Sequence, residues 1–103
     1  MVQKIVWHGK VSIENAEKFK NEILEALAGN STLIMDLSRV ESIDTSGVQL
    51  LVATVKEAKK QNITLAVEGH IPKEVNKRLI MGGFIAQAIS DGNLLVQELN
   101  KVV

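Results

Sequence analysis

The sequence predicts one layered α/β domain with a small mixed, largely parallel β-sheet. Segments with the composition of β-strands alternate with amphipathic segments of helical period, and strands separated by helices pair in parallel. The chain has 103 residues, of which 46% are hydrophobic, enough for one hydrophobic core and too few for two. No repeat or linker interrupts this pattern, so we expect residues 1–103 to form a single domain.

The first part of the chain predicts two strands with a helix between them. Residues 3–7 include β-branched side chains typical of a short strand. Ser12 suits a helix N-cap, and Gly29 favours the left-handed backbone that ends a helix. Residues 32–37 form a compact apolar run, as expected of a central strand. The helix would bury apolar residues spaced by three and four, namely Ala16, Phe19, Ile23, Leu24 and Leu27.

The second part predicts a polar loop and a second helix, followed by a strand. Residues 38–46 are polar and lead into the helix, and residues 63–67 read as the strand. The buried stripe of the helix would consist of Val48, Leu51, Val52 and Val55.

The remaining segments predict two more helices and a short edge strand. Pro72 suits the first turn of a third helix, which Gly82 and Gly83 would end. Residues 84–86 suit the edge strand, and residues 93–102 the last helix. The inward side chains of these two helices would be Val75, Leu79, Ile80, Leu95, Leu99 and Val102.

Composition excludes several classes of function. Twelve basic residues balance twelve acidic ones, whereas nucleic-acid-binding domains normally carry a basic excess. The absence of cysteine excludes disulfides and thiolate chemistry. No run approaches the roughly 18 apolar residues of a membrane span, and no apolar signal region opens the chain. We therefore expect a cytoplasmic protein that binds no nucleic acid and does not insert into the membrane. We also expect a monomer in isolation, because no long apolar stripe is left over from the predicted helices and strands.

Signatures of catalysis are missing as well. The sequence has no G-x-x-x-x-G-K-[ST] phosphate loop, no dinucleotide fingerprint and no G-x-S-x-G elbow. His8 and His70 lack the spacing of paired metal ligands. We expect a protein with no enzymatic activity, no cofactor and no metal, although an active site assembled only in the tertiary structure stays an alternative.

The informative segment is the polar stretch before the second helix. Ser46 and Gln49 have the spacing of a capping box, which would engage the Ser46 hydroxyl. Thr45 is then the hydroxyl that faces outward, and a phosphate on it would add a charge of about −1.5 to −2 beside Asp44. The alternative is that residues 44–46 do no more than cap the helix.

These residues resemble the signature of the STAS domain family, named for sulfate transporters and anti-sigma factor antagonists. The resemblance lies in an apolar strand ending in Asp36-Leu37-Ser38, then Asp44-Thr45-Ser46-Gly47 before an apolar helix. The other elements also follow in the family's order. The resemblance implies a small sheet with helices packed mainly on one face, no catalytic activity, and function through protein contacts.

In anti-sigma factor antagonists, a kinase that is also an anti-sigma factor phosphorylates the hydroxyl residue after the motif aspartate. The unphosphorylated antagonist binds that kinase and releases the sigma factor. Transferred to this sequence, the resemblance implies phosphorylation of Thr45 by a serine/threonine kinase. It implies a protein-binding surface formed by Asp36, Ser38, Arg39, Glu41, Asp44, Thr45, Ser46, Gly47 and Gln49.

A second interpretation keeps the surface and changes the partner. Threonine at the acceptor position, as in Thr45, also occurs in stressosome proteins and in the STAS subunit of bacterial lipid-asymmetry transporters. The domain would then be an accessory subunit docked on a transporter ATPase, or part of a chemotaxis-type signalling complex. Neither role requires phosphorylation.

Overall fold

A computed structural model describes residues 1–103 and contains three strands and four helices. In chain order they are β1 (Val2–Val11), α1 (Ala16–Leu27), β2 (Thr32–Ile43), α2 (Thr45–Lys60), β3 (Thr64–Glu68), α3 (Lys73–Met81) and α4 (Gly92–Asn100). None of the four helices combines the length and the apolar composition that a membrane crossing requires.

The three strands form one sheet in the order β1-β2-β3, and both pairings are parallel. This confirms the predicted α/β class and the predominance of parallel pairing, and the sheet is wholly parallel instead of mixed. Side chains on β2 alternate between the two faces: Leu33 and Met35 are buried, whereas Ile34 and Asp36 between and after them are only half-buried. On the open face an ion pair joins Lys4 to Glu68 across the sheet.

The helices form a layer over the buried face of the sheet. Helix α2 contacts each of the other three helices, and all four helices contact strands. The core between the layers is one cluster of 24 buried apolar residues. Trp7 lies fully buried in it, with its ring centroid 5.4 Å from that of Phe19. The core is therefore aliphatic apart from this aromatic pair.

The predicted loop over residues 38–46 is wrong, because β2 continues to Ile43. Two register shifts against β1 allow the continuation, and they place more residues on β2 than on the strand opposite. Beyond Leu37 the buried residues are Val40 and Ile43, three positions apart instead of two. This part of β2 is therefore a bulged strand whose polar composition is typical of a loop.

Helix α1 begins at Ala16 and not directly after Ser12. The side-chain Nδ2 of Asn15 donates a hydrogen bond to the carbonyl oxygen of Lys10 (2.6 Å), and the side-chain Oδ1 of Asn15 accepts one from the Ser12 N–H (2.8 Å). These bonds hold residues 12–15 in a turn before the helix starts.

The predicted edge strand at residues 84–86 is also wrong, since these residues lie in an irregular segment between α3 and α4. Buried Asn76 holds that segment: its Nδ2 donates to the Ile89 carbonyl and its Oδ1 accepts from the Ile89 N–H, both at 2.9 Å. Ile85 and Ile89 therefore enter the core without strand pairing. Three side chains predicted to face inward are exposed instead, namely Leu24, Ile80 and Val102.

Candidate functional site

The beginning of α2 is organised by Asp44, the N-cap residue of the helix. Its Oδ1 accepts a hydrogen bond from the Gly47 N–H (3.0 Å), and its Oδ2 accepts one from the Ile13 N–H (3.0 Å). The predicted capping box is wrong, because Ser46 lies inside the helix and Asp44 caps it. One carboxylate therefore fixes both the helix and the turn after β1.

Asp44 is ionised at neutral pH. Burial raises its pKa, but hydrogen bonds from the backbone of Gly47, Ile13 and Ser46 and the charge of Arg78 outweigh that effect, so the pKa lies below the ordinary 3.8. The beginning of α2 thus already carries a bound anion.

Gly47 allows α2 to start against the ends of two strands. A Cβ atom at this position would lie 2.6 Å from Ile43 Cγ1 and 2.7 Å from the Val11 carbonyl oxygen. No side chain fits there without a shift of backbone. The glycine of the motif therefore serves close packing, and it fixes the position of the residues before it.

Thr45, the first residue of α2, is exposed, whereas Ser46 is half-buried. Thr45 borders a cleft of about 360 Å³ between α2 and the end of α3. Helix α2 contributes Thr45, Val48 and Gln49, and the other wall includes Arg78, Met81 and Phe84.

The sequence did not predict the second wall of this cleft. Arg78 and Met81 lie one turn apart on α3, and no local pattern separates them from ordinary surface residues. Their relevance comes from the tertiary contact between α2 and α3.

Asp36 and Ser38 lie in a different place, on the strand of the sheet and not at the helix. The Ser38 hydroxyl (2.5 Å) and the Ser38 N–H (2.8 Å) both donate to Asp36 Oδ1. The hydroxyl bond is the largest cause that holds the pKa of Asp36 below the ordinary 3.8, against the effect of burial. Lys4 adds its positive charge to this lowering.

The nine residues predicted for the protein-binding surface thus separate into groups. Five of them gather at the beginning of α2: Asp44, Thr45, Ser46, Gly47 and Gln49. Asp36 and Ser38 form a second cluster, roughly 20 Å back along β2 at the usual rise per strand residue. Arg39 and Glu41 are exposed on the strand between the two clusters.

A protein-family model described as "Mlab, STAS domain" matches residues 2–85. A comparison with curated proteins gave no match. The chain is similar to the STAS domain of a SulP transporter from Vibrio cholerae, with 19% identity, a TM-score of 0.59, and coverage of 98% of this chain and 83% of that one. It is also similar to a sulfate transporter family protein from Wolinella succinogenes, with 17% identity, a TM-score of 0.66, and coverage of 98% and 86%.

A third similar structure is that of a protein named Mglu, with 22% identity and a TM-score of 0.59. The match covers 69% of this chain and only 18% of Mglu. At these identities the structural likenesses show the fold, whereas the family model covers most of the sequence. The chain belongs to the STAS domain family, a family of protein-interaction modules.

Proposed function

We propose that this domain is a non-catalytic docking module that binds a partner protein around Thr45 and loses that partner when Thr45 is phosphorylated. The enzyme would be a serine/threonine kinase of the anti-sigma class, and the location would be the cytoplasm, where ATP is available. The observation that carries the proposal is the exposure of Thr45, a hydroxyl residue, at the beginning of α2.

Rigidity supports the proposal because a recognition surface needs fixed geometry. Asp44 binds backbone groups on two segments, and Gly47 packs directly on the strand ends. Neither residue is free to act as an adaptable contact. Thr45 lies between them with its side chain accessible, so a modifying enzyme can reach it without opening the fold.

The negative charge of a phosphate on Thr45 would cause the release of the partner. A phosphate on Thr45 adds about −1.5 to −2 at neutral pH. The residue before it, Asp44, is already ionised. A partner that approaches this turn through neutral or acidic groups would then meet two neighbouring anionic groups in place of one.

A second candidate is an accessory subunit of a membrane transporter, docked on its ATPase without obligatory phosphorylation. The observation that favours it is the kind of structural neighbour: two of the similar chains, each covering 98% of this domain, are named as transporter proteins. The same surface around Thr45 would make the contact.

One experiment tests the proposal and separates the candidates. The domain is incubated with ATP and the kinases encoded beside its gene, and the products are mapped by mass spectrometry. The first candidate predicts modification of Thr45 and none in the T45A variant. Unmodified Thr45 with every such kinase contradicts it.

Affinity capture with the tagged domain identifies the docked protein. Thr45→Glu should abolish capture of the partner, while Ser90→Glu, at an exposed hydroxyl outside the cleft, should leave it unchanged. Capture of a kinase favours the switch, and capture of a transporter ATPase favours the accessory subunit. Equal capture by both glutamate variants contradicts docking at Thr45.

A further inference from the structure

The cleft beside Thr45 contains a cation that forms no ion pair. Arg78 is half-buried on α3 and is the one charged residue among those that line the cleft. The two ion pairs of the structure join other residues, Lys4 with Glu68 and Lys101 with Glu98. Because Arg78 forms no ion pair, its guanidinium fork is available to an anionic group that enters the cleft.

The helix start cannot itself neutralise a phosphate on Thr45. The Gly47 N–H, which would otherwise be available to an anion, already donates to Asp44. The phosphate would therefore sit beside a carboxylate and require a cation from another element. Arg78 is near enough for its charge to act on Asp44.

We propose that Arg78 binds the phosphate of phosphorylated Thr45 across the cleft between α2 and α3. This rests on the proposed function in one respect, namely that a kinase modifies Thr45. In that step the Thr45 Oγ1 bonds to the γ-phosphorus of ATP, the bond from that phosphorus to the β–γ bridging oxygen breaks, ADP leaves, and the hydroxyl proton passes to a base of the kinase.

The contact would close the cleft. Two N–H groups of the guanidinium fork can donate to two phosphate oxygens, a geometry that ammonium groups do not reproduce. With Arg78 drawn to Thr45, its side chain crosses the space that Met81 and Phe84 border. Phosphorylation would then remove the apolar cleft from a partner in addition to adding charge.

The test uses the whole domain with phosphothreonine inserted at position 45 during translation, so no kinase is needed. The second ionisation of the phosphate, with a pKa of about 6 in the free state, is followed by ³¹P NMR. Because Arg78 stabilises the dianion and Asp44 disfavours it, Arg78→Gln should lower the second acid dissociation constant about three- to tenfold.

The matched control is Lys77→Gln, which removes an exposed cation from the neighbouring position of α3, outside the cleft. Lys77→Gln should leave the titration of the phosphate unchanged. Arg78→Lys should change the second acid dissociation constant less than Arg78→Gln does. Identical titrations for the parent and R78Q would overturn the proposal. So would an equal shift in K77Q, because it would indicate a general charge effect.

A second measurement needs no substitution of Arg78. In ¹H–¹⁵N spectra the Nε–H resonance of Arg78 should move downfield in the phosphorylated domain, and an unmoved resonance contradicts the contact. Because the phosphate is installed directly, failure here leaves the kinase and partner proposals standing. Conversely, an absent kinase leaves this measurement valid.

Discussion

The carboxylate of Asp44 joins two segments that are distant in sequence. One oxygen binds the first turn of α2 and the other binds Ile13, in the turn between β1 and α1. A serine cap has a single oxygen, so it lacks the two separate acceptor atoms with which the carboxylate reaches both segments. At the residue scale, the motif aspartate is therefore the structural anchor of the site, and the threonine after it is the accessible group.

Replacing Asp44 should separate its role from that of Ser46. Asp44→Ala removes the cap and the bond to Ile13 and should lower the free energy of unfolding by about 1–3 kcal/mol. Ser46→Ala should change it by less than about 0.5 kcal/mol. Urea unfolding followed by circular dichroism measures both. A larger loss of unfolding free energy in S46A than in D44A would indicate that Ser46, and not Asp44, caps the helix.

The lowered pKa values of Asp44 and Asp36 predict a loss of stability in acid. Each group is harder to protonate in the folded chain, so its contribution is complete above the unfolded-state pKa and is lost as the pH falls through the folded-state value. The melting temperature should therefore decline below about pH 4.

The control for this acid effect is the Asp36→Asn, Asp44→Asn double variant. It lacks both titrating groups and should melt at a lower temperature near neutral pH, with a flatter decline below pH 4. Thermal melts from pH 7 to pH 2 compare it with the parent. An unchanged acid profile would show that other carboxylates cause the loss.

At the element scale, prediction from the sequence failed where tertiary contacts determine the local structure. Strand β2 runs on through polar residues because bulges change the spacing of its buried positions from two to three. Residues 84–86 do not pair as a strand, because Asn76 binds the backbone of Ile89 and holds the segment against the core. Periodicity predicts the regular helices and strands, but it cannot predict these two segments.

The beginning of α2 offers a test in which two effects have opposite signs. Gly47→Ala improves intrinsic helix propensity by about 1 kcal/mol. It also places a Cβ 2.7 Å from the Val11 carbonyl oxygen, and we expect the clash to dominate, with a net loss of about 2–4 kcal/mol.

Gly29 is the matched control for Gly47. Its left-handed backbone (φ +74°) disfavours alanine, but no atom lies within 4 Å of the added Cβ, so G29A should cost only about 1 kcal/mol. Chemical unfolding compares the two variants. A stabilised G47A would show that α2 does not pack tightly on the strand ends.

At the scale of the whole molecule, one wall of the cleft was predictable and the other was not. The segment from Asp44 to Gln49 carries a motif that identifies the family. Arg78 and Met81 come from a helix whose sequence resembles any amphipathic surface helix. Only the packing of α3 beside α2 brings them to Thr45.

The net charge of zero gives a single modification unusual weight in this molecule. Phosphorylation would change the total charge by about −1.5 to −2 and concentrate that change at one end of α2. No covalent or conformational rearrangement of the core is required, because Thr45 lies outside it. We therefore expect the folded structure to persist in both states while the docking surface changes.

The most direct test of the docking proposal is the affinity of the captured partner for the domain with and without phosphate on Thr45. Calorimetric titrations with the two purified forms measure it, with phosphoserine at position 90 as the control for added charge. The proposal predicts at least about tenfold weaker binding, or about 1.4 kcal/mol, when Thr45 is phosphorylated, and no change for the control. Equal affinity of the Thr45-phosphorylated and unmodified domains would contradict it.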